Sequence, residues 1–478
     1  MGGKEGLKNL AVLILAAGIG KRLRSKKAKV LHEVAEEPML RHVLRKAIPL
    51  DPEKIIMVIG HQSEEVAACI GDSLPKMTFV KQNKLLGTAH AVLLTEAPLY
   101  NFDGTILILS GDVPLVREES LKLLLKNHKK TGNDLTIVTT TVSNPYGYGR
   151  VLRNANGRVI KIVEERDATD EEKKIREINT GIYAVQKEFL FKTLKGVRKK
   201  NAQGEYYLTD IVGTANKQGK KIGAYSVEDP IEVMGINTRL ELAEAERYLR
   251  KKKLNDLMLN GVTIIDPENT YIGPSVRIGR DSTIYPNTFL EGSTIIGEDC
   301  IIYPNVRIVD SHLGNRVIVK DSCLIVKGEI EDGATIGPFA QLRPEAVIKK
   351  GAKIGNFVEV KKSTLGEGSK AMHLSYIGDT TIGKGVNIGA GTITCNYDGF
   401  KKYPTIIEDE VFVGSDTQFI APVRIGKGAV IAAGSTITKD VPGDALAMSR
   451  VEQVNKEGWA QKRKLRVRSS ELIVKKKK

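Results

Sequence analysis

Two sets of residues in this 478-residue chain have types and spacings that could do chemistry. The first is the turn AAGIGKR (16–22), which follows the apolar run LAVLIL (10–15). Backbone N–H groups in such a turn, with Lys21, Arg22 and Lys29 close behind, offer a place for a phosphate chain. It is neither the dinucleotide fingerprint nor a Walker A motif, and alone it reads equally as a structural loop. Asp112 ends a second apolar run, TILILSGD (105–112). A carboxylate there can hold Mg²⁺ against phosphate oxygens, or it can cap a helix. Together the basic turn and the strand-end acid suggest nucleotidyl transfer, which depends on positioning and charge neutralisation.

The second set centres on His373. The other six histidines (His32, His42, His61, His90, His128, His312) read as surface, packing or capping residues. His373 lies in GEGSKAMHLSY (366–376), and Asn396 and Tyr397 lie in CNYDGFKKYPT (395–405). Both stretches interrupt a repeat described next, where loops leave a column and commonly carry function. Imidazole titrates near neutral pH and suits proton removal from an attacking amine, although a lone histidine is also an ordinary structural residue.

The elements that must position these residues divide by period. From Ile272 to Ile437 an aliphatic recurs every six residues. One register runs from Ile272 through Ile278, Ile284, Leu290, Ile296 and Ile302 to Ile308. A second runs from Ile318 through Leu324, Ile330, Ile336, Leu342, Ile348 and Ile354 to Val360, and a third from Val413 through Phe419, Ile425 and Ile431 to Ile437. Six fits neither a helix nor a meander and predicts a parallel β-helix of hexapeptides. Each aliphatic points into a triangular prism, and glycines such as Gly279, Gly297, Gly355 and Gly414 are expected to permit the corners. Roughly 18 residues per turn give about nine turns.

The N-terminal half alternates short apolar strands (10–15, 54–60, 78–82, 105–112) with amphipathic stretches such as 36–48 and 87–97. That pattern predicts a doubly wound, Rossmann-like α/β domain with ligands at the carboxyl ends of its strands. Beyond about residue 133 it becomes richer in β. The expected organisation is a domain over 1–237, a helical linker over 238–260, the β-helix over 261–450 and a basic tail over 451–478.

Net charge is +16, with 41% hydrophobic and 27% charged residues. The charge fits polyphosphate substrates or nucleic acid, but no aromatic-interleaved basic motif accompanies it, so nucleic acid is the lesser reading. The tail KRKLRVRSSELIVKKKK (462–478) reads as solvated and partly disordered. Cys69, Cys300, Cys323 and Cys395 show no metal spacing and are expected as reduced thiols. No apolar run reaches membrane-span length and no apolar leader is visible, so the expected location is the cytoplasm.

Several motifs carry a resemblance. LAAGIGKRLRSKKAKVLH, SGDVPL, GYGR, IVEERDATDEE, EINTGIY and AQGEYYLTDI resemble sugar-1-phosphate nucleotidylyltransferases. With LRPEA, IGNFVEVKKS, GSKAMHLSYIGD, IGAGTITCNYDG, VFVGSDTQFIAPV and SRVEQVNKEGW, the chain closely resembles one bacterial family from about Leu10 to Trp459. These are the bifunctional N-acetylglucosamine-1-phosphate uridylyltransferase/glucosamine-1-phosphate N-acetyltransferases. The resemblance implies an α/β fold in which a nucleotidyltransferase domain, a long linking helix and a left-handed parallel β-helix follow in order. It implies UTP or UDP-sugar contacts at Leu15, Ala16, Ala17, Gly18, Gln82, Gly87, Thr88, Ser110, Gly111 and Asp112. It further implies Gly149, Glu164, Asn179 and Asn237 around the sugar phosphate, Mg²⁺ on Asp112 and Asn237, and Arg22 and Lys29 on the triphosphate.

For the second site the resemblance implies His373 as general base toward glucosamine 1-phosphate, with Arg343, Lys361, Tyr376 and Asn387 contacting that sugar phosphate. Ala390, Asn396, Tyr397, Ser415, Ala433 and Arg450 would adjoin acetyl-CoA. The family's substrates are UTP, glucosamine 1-phosphate, N-acetylglucosamine 1-phosphate and acetyl-CoA, and its assembly is a homotrimer. Two competing readings are a nucleotidylyltransferase whose β-helix only assembles or regulates it, and a non-catalytic scaffold subunit. Retention of His373, Asn396 and Tyr397 argues against the first, and of Lys29, Asp112 and Asn237 against the second.

Overall fold

The computed structural model describes residues 9–71, 77–199 and 201–475, so the extreme N-terminus discussed above lies outside the described residues. The chain forms two compact units, Met1–Lys253 and Leu254–Lys478.

In the first unit a mixed sheet runs in the order Ile222–Ser226, Leu135–Thr141, Glu177–Gln186, Thr105–Ser110, Leu10–Ala16, Lys54–Ile59, Met77–Lys81. Leu10–Ala16 pairs in parallel with Lys54–Ile59 on one side and Thr105–Ser110 on the other. The chain thus leaves the first strand toward one edge and returns on the other side, creating a crevice at the strand ends. Leu15 is in register with Ser110, and the Gly111 N–H donates to the Leu15 carbonyl at 2.9 Å. The strand Glu177–Gln186 is antiparallel to both neighbours, and its extension pairs with the hairpin Arg150–Arg153/Val159–Val163. This is the richer β content expected beyond residue 133.

Side chains of the first strand alternate between two cores. Val12, Ile14 and Ala16 pack on one face, and Ala11, Leu13 and Ala17 on the other. The helix expected over 36–48 begins later, as Met39–Ala47. Glu37–Pro38 instead pairs with Glu33–Val34, and proline leaves no N–H to continue a helix backward.

The second unit is a column of three parallel sheets with 11, 10 and 9 strands, most of them two or three residues long. Neighbouring coils stack in register, as Ile284 on Ile302 and Val413 on Ile431. The inward file is continuous, but the six-residue count misplaces part of it. From Ile302 it passes through Ile308, Leu313, Val319, Ile325 and Ile330 to Ile336, all at most 1% exposed. Ile318 and Leu324 are partly exposed on the outer face. The sides 308–313 and 325–330 are one residue short, and in a strand a one-residue slip exchanges the faces.

The glycines serve two purposes. Left-handed corners are shared between glycines such as Gly292, Gly333, Gly351 and Gly368, with φ between 63° and 69°, and short polar residues such as Asp281, Asn287, Asp299 and Asn305, with φ between 57° and 61°. Short polar side chains tolerate that region. Gly355 and Gly414 instead lie where the next coil presses closest. A Cβ at Gly355 would sit 1.9 Å from the Met372 carbonyl oxygen, and one at Gly414 2.4 Å from the Ala433 nitrogen.

The two interruptions differ from each other. Residues 366–376 form a regular coil, because Ala371 (0% exposed) fills the inward position between Leu365 and Ile377. His373 therefore ends the strand Lys370–His373 and does not lie in a loop. The second interruption is a true excursion between Ile393–Cys395 and Thr405–Ile407, with Thr394 facing inward.

The helix Arg239–Leu259 places Ala245 in a core with Met39, Leu115 and Ile236, and its last turns supply Leu254 and Leu257 to the end of the column's core. Past residue 450 the chain continues to a helix, Trp459–Lys475, where composition suggests partial disorder. Among the described residues no helix is long and apolar enough to cross a membrane, and all four cysteines are free.

Candidate active sites

The crevice of the first unit opens into a cleft of about 660 Å³ lined by Leu15, Ala17, Gly18, Lys29, Gln82, Gly87, Thr88, Ser110 and Asp112. Its shape follows from local constraints. Gly20 has φ 71°, and a Cβ there would lie 2.7 Å from Lys29 Cβ, so the glycine turn folds directly against the lysine stem. Gln82 is buried, and its amide donates to the Gly87 carbonyl at 3.1 Å. The Thr88 hydroxyl accepts from the Leu208 N–H at 2.9 Å.

Lys29 Nζ bonds to Asp112 Oδ2 and lies 2.6 Å from Asn237 Oδ1. Asn237 is held by its own surroundings. Its amide donates to the Gly235 carbonyl at 2.9 Å, and its N–H donates to Glu241 Oε2 at 2.7 Å. Glu241 and Thr238 cap the start of the Arg239–Leu259 helix reciprocally. Two oxygen donors thus converge on a cation, a donor set of the hard type that suits Mg²⁺.

Further along, Gly149 accepts from the Asn179 N–H at 2.8 Å, and Asn179 Nδ2 donates to the Tyr183 hydroxyl at 2.8 Å. A Cβ at Gly149 would lie 3.4 Å from Glu164 Oε2, which places Gly149, Glu164 and Asn179 together. Glu164 accepts from the Thr209 hydroxyl at 3.0 Å. Desolvation pushes its carboxyl above the usual range, reinforced by Asp167 and Asp210.

Of the residues expected at the nucleotide, Ala16, Gly111 and Arg22 do not line the cleft. The Ala16 side chain packs in the opposite core, so only its backbone can approach a ligand. Arg22 lies beside Gly147, where a Cβ would be 3.6 Å from its guanidinium. Arg166, Gln203 and Glu205 also line the cleft, and only the quoted segments around them hinted at it.

On the column, stacking sorts the second set into files. Asn356 is in register with His373, and His373 Nδ1 lies 2.6 Å from Asn356 Oδ1. A carboxamide oxygen only accepts, so Nδ1 carries the hydrogen and Nε2 keeps its lone pair for an incoming proton. Continuing the same registers brings Ala390, Ser415 and Ala433 onto successive coils at this edge. Arg450 reaches back to donate to the Ala433 carbonyl at 2.9 Å. Asn387 lies on the strand that pairs with Lys370–His373.

A second file carries Arg343, Lys361 and Tyr376. Arg343 pairs with Glu359 at 2.8 Å, and Glu359 is in register with Tyr376. Lys402 joins this group from the loop. Lys361, close beside it, lowers the Lys402 pKa, while Asp379 opposes the shift. Asn396 is buried, donates to Asp379 and accepts from the Tyr403 N–H at 2.9 Å, while Tyr397 is exposed. Within one chain His373 and Asn396 fall in different files, contrary to expectation, because their separation of 23 residues is not a whole coil. Asn356 was findable by counting back one 17-residue coil from His373.

The fold and the two clusters define a two-unit transferase. Residues 11–230 match the nucleotidyl transferase family, and residues 275–310 and 404–439 match the bacterial transferase hexapeptide (six repeats). The chain belongs to the family of the bifunctional protein GlmU. It is 48% identical over 458 residues to that protein of Geotalea uraniireducens, covering 96% of this chain and 100% of the relative. It is 48% identical to the Carboxydothermus hydrogenoformans protein (94% and 99% covered) and 47% to a Streptococcus agalactiae one (94% and 97%).

Proposed function

We propose that the chain makes UDP-N-acetylglucosamine in two steps, each in its own unit. The observation that carries this reading is the presence, in one chain, of two chemically distinct clusters. Lys29, Asp112 and Asn237 converge in the nucleotidyl transferase cleft, and an Asn356-oriented His373 stands on the edge of the hexapeptide column. Uridylyl transfer is assigned to residues 1–237, acetyl transfer to 261–450, with 238–260 as linker and 451–478 as a basic tail of separate purpose.

In the acetyl step the 2-amino group of glucosamine 1-phosphate attacks the thioester carbonyl of acetyl-CoA. His373 Nε2 takes the amine proton, the C–S bond breaks and CoA thiolate leaves. Arg343, Lys361 and Lys402 hold the phosphate, with Tyr376 and Asn387 alongside. Acetyl-CoA lies along the edge formed by Ala390, Ser415 and Ala433, whose small side chains leave room for it, with Asn396, Tyr397 and Arg450 nearby.

In the uridylyl step a phosphate oxygen of N-acetylglucosamine 1-phosphate attacks the α-phosphorus of UTP and pyrophosphate leaves. No side-chain base is required, since the nucleophile is already an anion. Leu15, Ala17, Gly18, Gln82, Gly87 and Thr88 seat the nucleotide, while Gly149, Glu164 and Asn179 orient the sugar. Lys29 and Arg22 neutralise phosphate charge. Mg²⁺, when held by Asp112 and Asn237, supplies further neutralisation of the triphosphate.

The active assembly is a homotrimer in the cytoplasm. Phe339, Phe357 and Leu374 form an exposed apolar stripe along one corner, with the two rings 5.3 Å apart. His373 adjoins Leu374, so a second copy covering the stripe would enclose the acetyl site. Product analysis tests the reading. With acetyl-CoA, glucosamine 1-phosphate, UTP and Mg²⁺ supplied together, UDP-N-acetylglucosamine should form. Omitting UTP should leave N-acetylglucosamine 1-phosphate. Failure to acetylate the sugar phosphate would remove the second activity, and an active monomer in sedimentation would remove the trimer.

A further inference from the structure

The Asp112–Asn237 site already holds a cation of the chain's own. Lys29 Nζ bonds to Asp112 and lies 2.6 Å from Asn237 Oδ1, and Lys29 is only 9% exposed. The lysine backbone belongs to a tight turn in which the His32 N–H donates to the Lys29 carbonyl at 3.3 Å. Its stem is pinned by Gly20, so only the outer methylenes and the ammonium are free to swing. The residues that carry the two oxygens are anchored as well. The Ile236 N–H donates to the Asp112 carbonyl at 2.9 Å, and the Asn237 amide is tied to Gly235. The ammonium is therefore either between these oxygens or away from them.

We propose that Lys29 is a built-in plug for the metal site, and that a divalent cation enters only when a nucleotide triphosphate gives Lys29 another anion to pair with. The inference rests on the reading of Asp112 and Asn237 as metal ligands. Its physical basis is that an ammonium bonded to both Asp112 Oδ2 and Asn237 Oδ1 occupies the point between them that a divalent cation would take, and two cations cannot both occupy that point. Moving Lys29 away alone would leave a buried ammonium unpaired, which is costly. The triphosphate removes that cost, because Lys29 lines the same cleft as Gly18, Gly20 and Lys21, where the phosphate chain is expected. The metal affinity of the nucleotide-free protein is thereby reduced by the small fraction of time the ammonium is out. The device keeps stray divalent ions from Asp112 and makes metal and nucleotide arrive together.

The test is Mn²⁺ binding to the full chain, read by the electron paramagnetic resonance of free Mn²⁺, with and without UTP. Lys29→Met should bind Mn²⁺ without nucleotide at least about tenfold more tightly than the parent. Lys29→Gln, which keeps a donor toward Asp112, is the companion variant should the methionine disturb folding, and thermal unfolding checks both. The gained affinity should vanish in Lys29→Met/Asp112→Asn. Lys26→Gln removes an exposed lysine that does not line the cleft and should change nucleotide-free affinity by less than about twofold, since that charge is screened. Unchanged affinity in both Lys29 variants would overturn the proposal, as would an equal gain in Lys26→Gln, which would indicate a general field effect. Failure of the underlying reading looks different: Asp112→Asn would then leave Mn²⁺ binding intact even with UTP present.

Discussion

His373 Nδ1 and Asn356 Oδ1 face each other at 2.6 Å across two stacked coils, in strict register. The contact orients the ring and selects the tautomer whose Nε2 can accept a proton. On the proposed reading, Asn356 positions His373 for the acetyl step. Asn356→Ala should lower kcat for acetyl transfer by roughly tenfold, in line with the loss of a partner that orients a functional histidine. KM for acetyl-CoA and uridylyl transfer should be unchanged, and Asn356→Asp, which retains an acceptor, should recover much of the rate. A rise in KM alone would point to a packing role instead.

The slipped register predicts opposite outcomes for adjacent residues. Ile325 is 0% exposed and stacks between Ile308 and Leu342, so Ile325→Ala should cost about 2–5 kcal/mol through the cavity it opens. Leu324 sits on the outer face, and Leu324→Ala should cost less than about 1 kcal/mol. Urea midpoints of the column's unfolding compare the two. The reverse ranking would restore the strict six-residue count.

His128 makes the first unit acid-sensitive. It is 1% exposed, with Nδ1 2.8 Å from the Thr136 hydroxyl and Nε2 accepting from the Gln186 amide at 3.0 Å. A proton on Nε2 would confront that donor, and burial lowers the His128 pKa from 6.5 to about 4. Between those values the unfolded chain holds the extra proton, so stability is complete above about pH 6.5 and falls as pH drops toward 4. The loss amounts to as much as about 3 kcal/mol for this one group. His128→Gln should flatten this part of the pH profile of urea unfolding. An unaltered slope between pH 6.5 and 4 would show that His128 titrates normally.

The column was legible because stacking forces an aliphatic into every inward position, and its period survives in the sequence. The slip at 318 and 324 was not, because Ile318–Val319 and Leu324–Ile325 each offer two aliphatics and only the coil length chooses between them. The glycines at left-handed corners such as Gly333 and Gly351 act as the period suggests, whereas those at Gly355 and Gly414 answer to close approach by the next coil, which leaves no trace in a single sequence. In the cleft, Lys29 meets Asp112 from 83 residues away and Asn237 from 208, distances closed by strand order rather than by spacing. The strand-end positions joined Lys29 and Asp112 beforehand, and only the motif resemblance added Asn237. Asn356 lay within a quoted motif, yet its role needed the coil length.

The central claim is that two independent sites in one chain perform consecutive steps, and quantifying products in two variants tests it most directly. Asp112→Ala, given all substrates, should accumulate N-acetylglucosamine 1-phosphate and lose uridylyl transfer through several kcal/mol of lost charge stabilisation. His373→Ala should lose acetylation by about 10²–10⁴-fold, less as pH rises toward the amine's own pKa, yet convert supplied N-acetylglucosamine 1-phosphate at the parent rate. Mixing the two variants should restore UDP-N-acetylglucosamine formation from glucosamine 1-phosphate. Parallel loss of both activities in either variant, or acetylation by His373→Ala at the parent rate at neutral pH, would contradict the account.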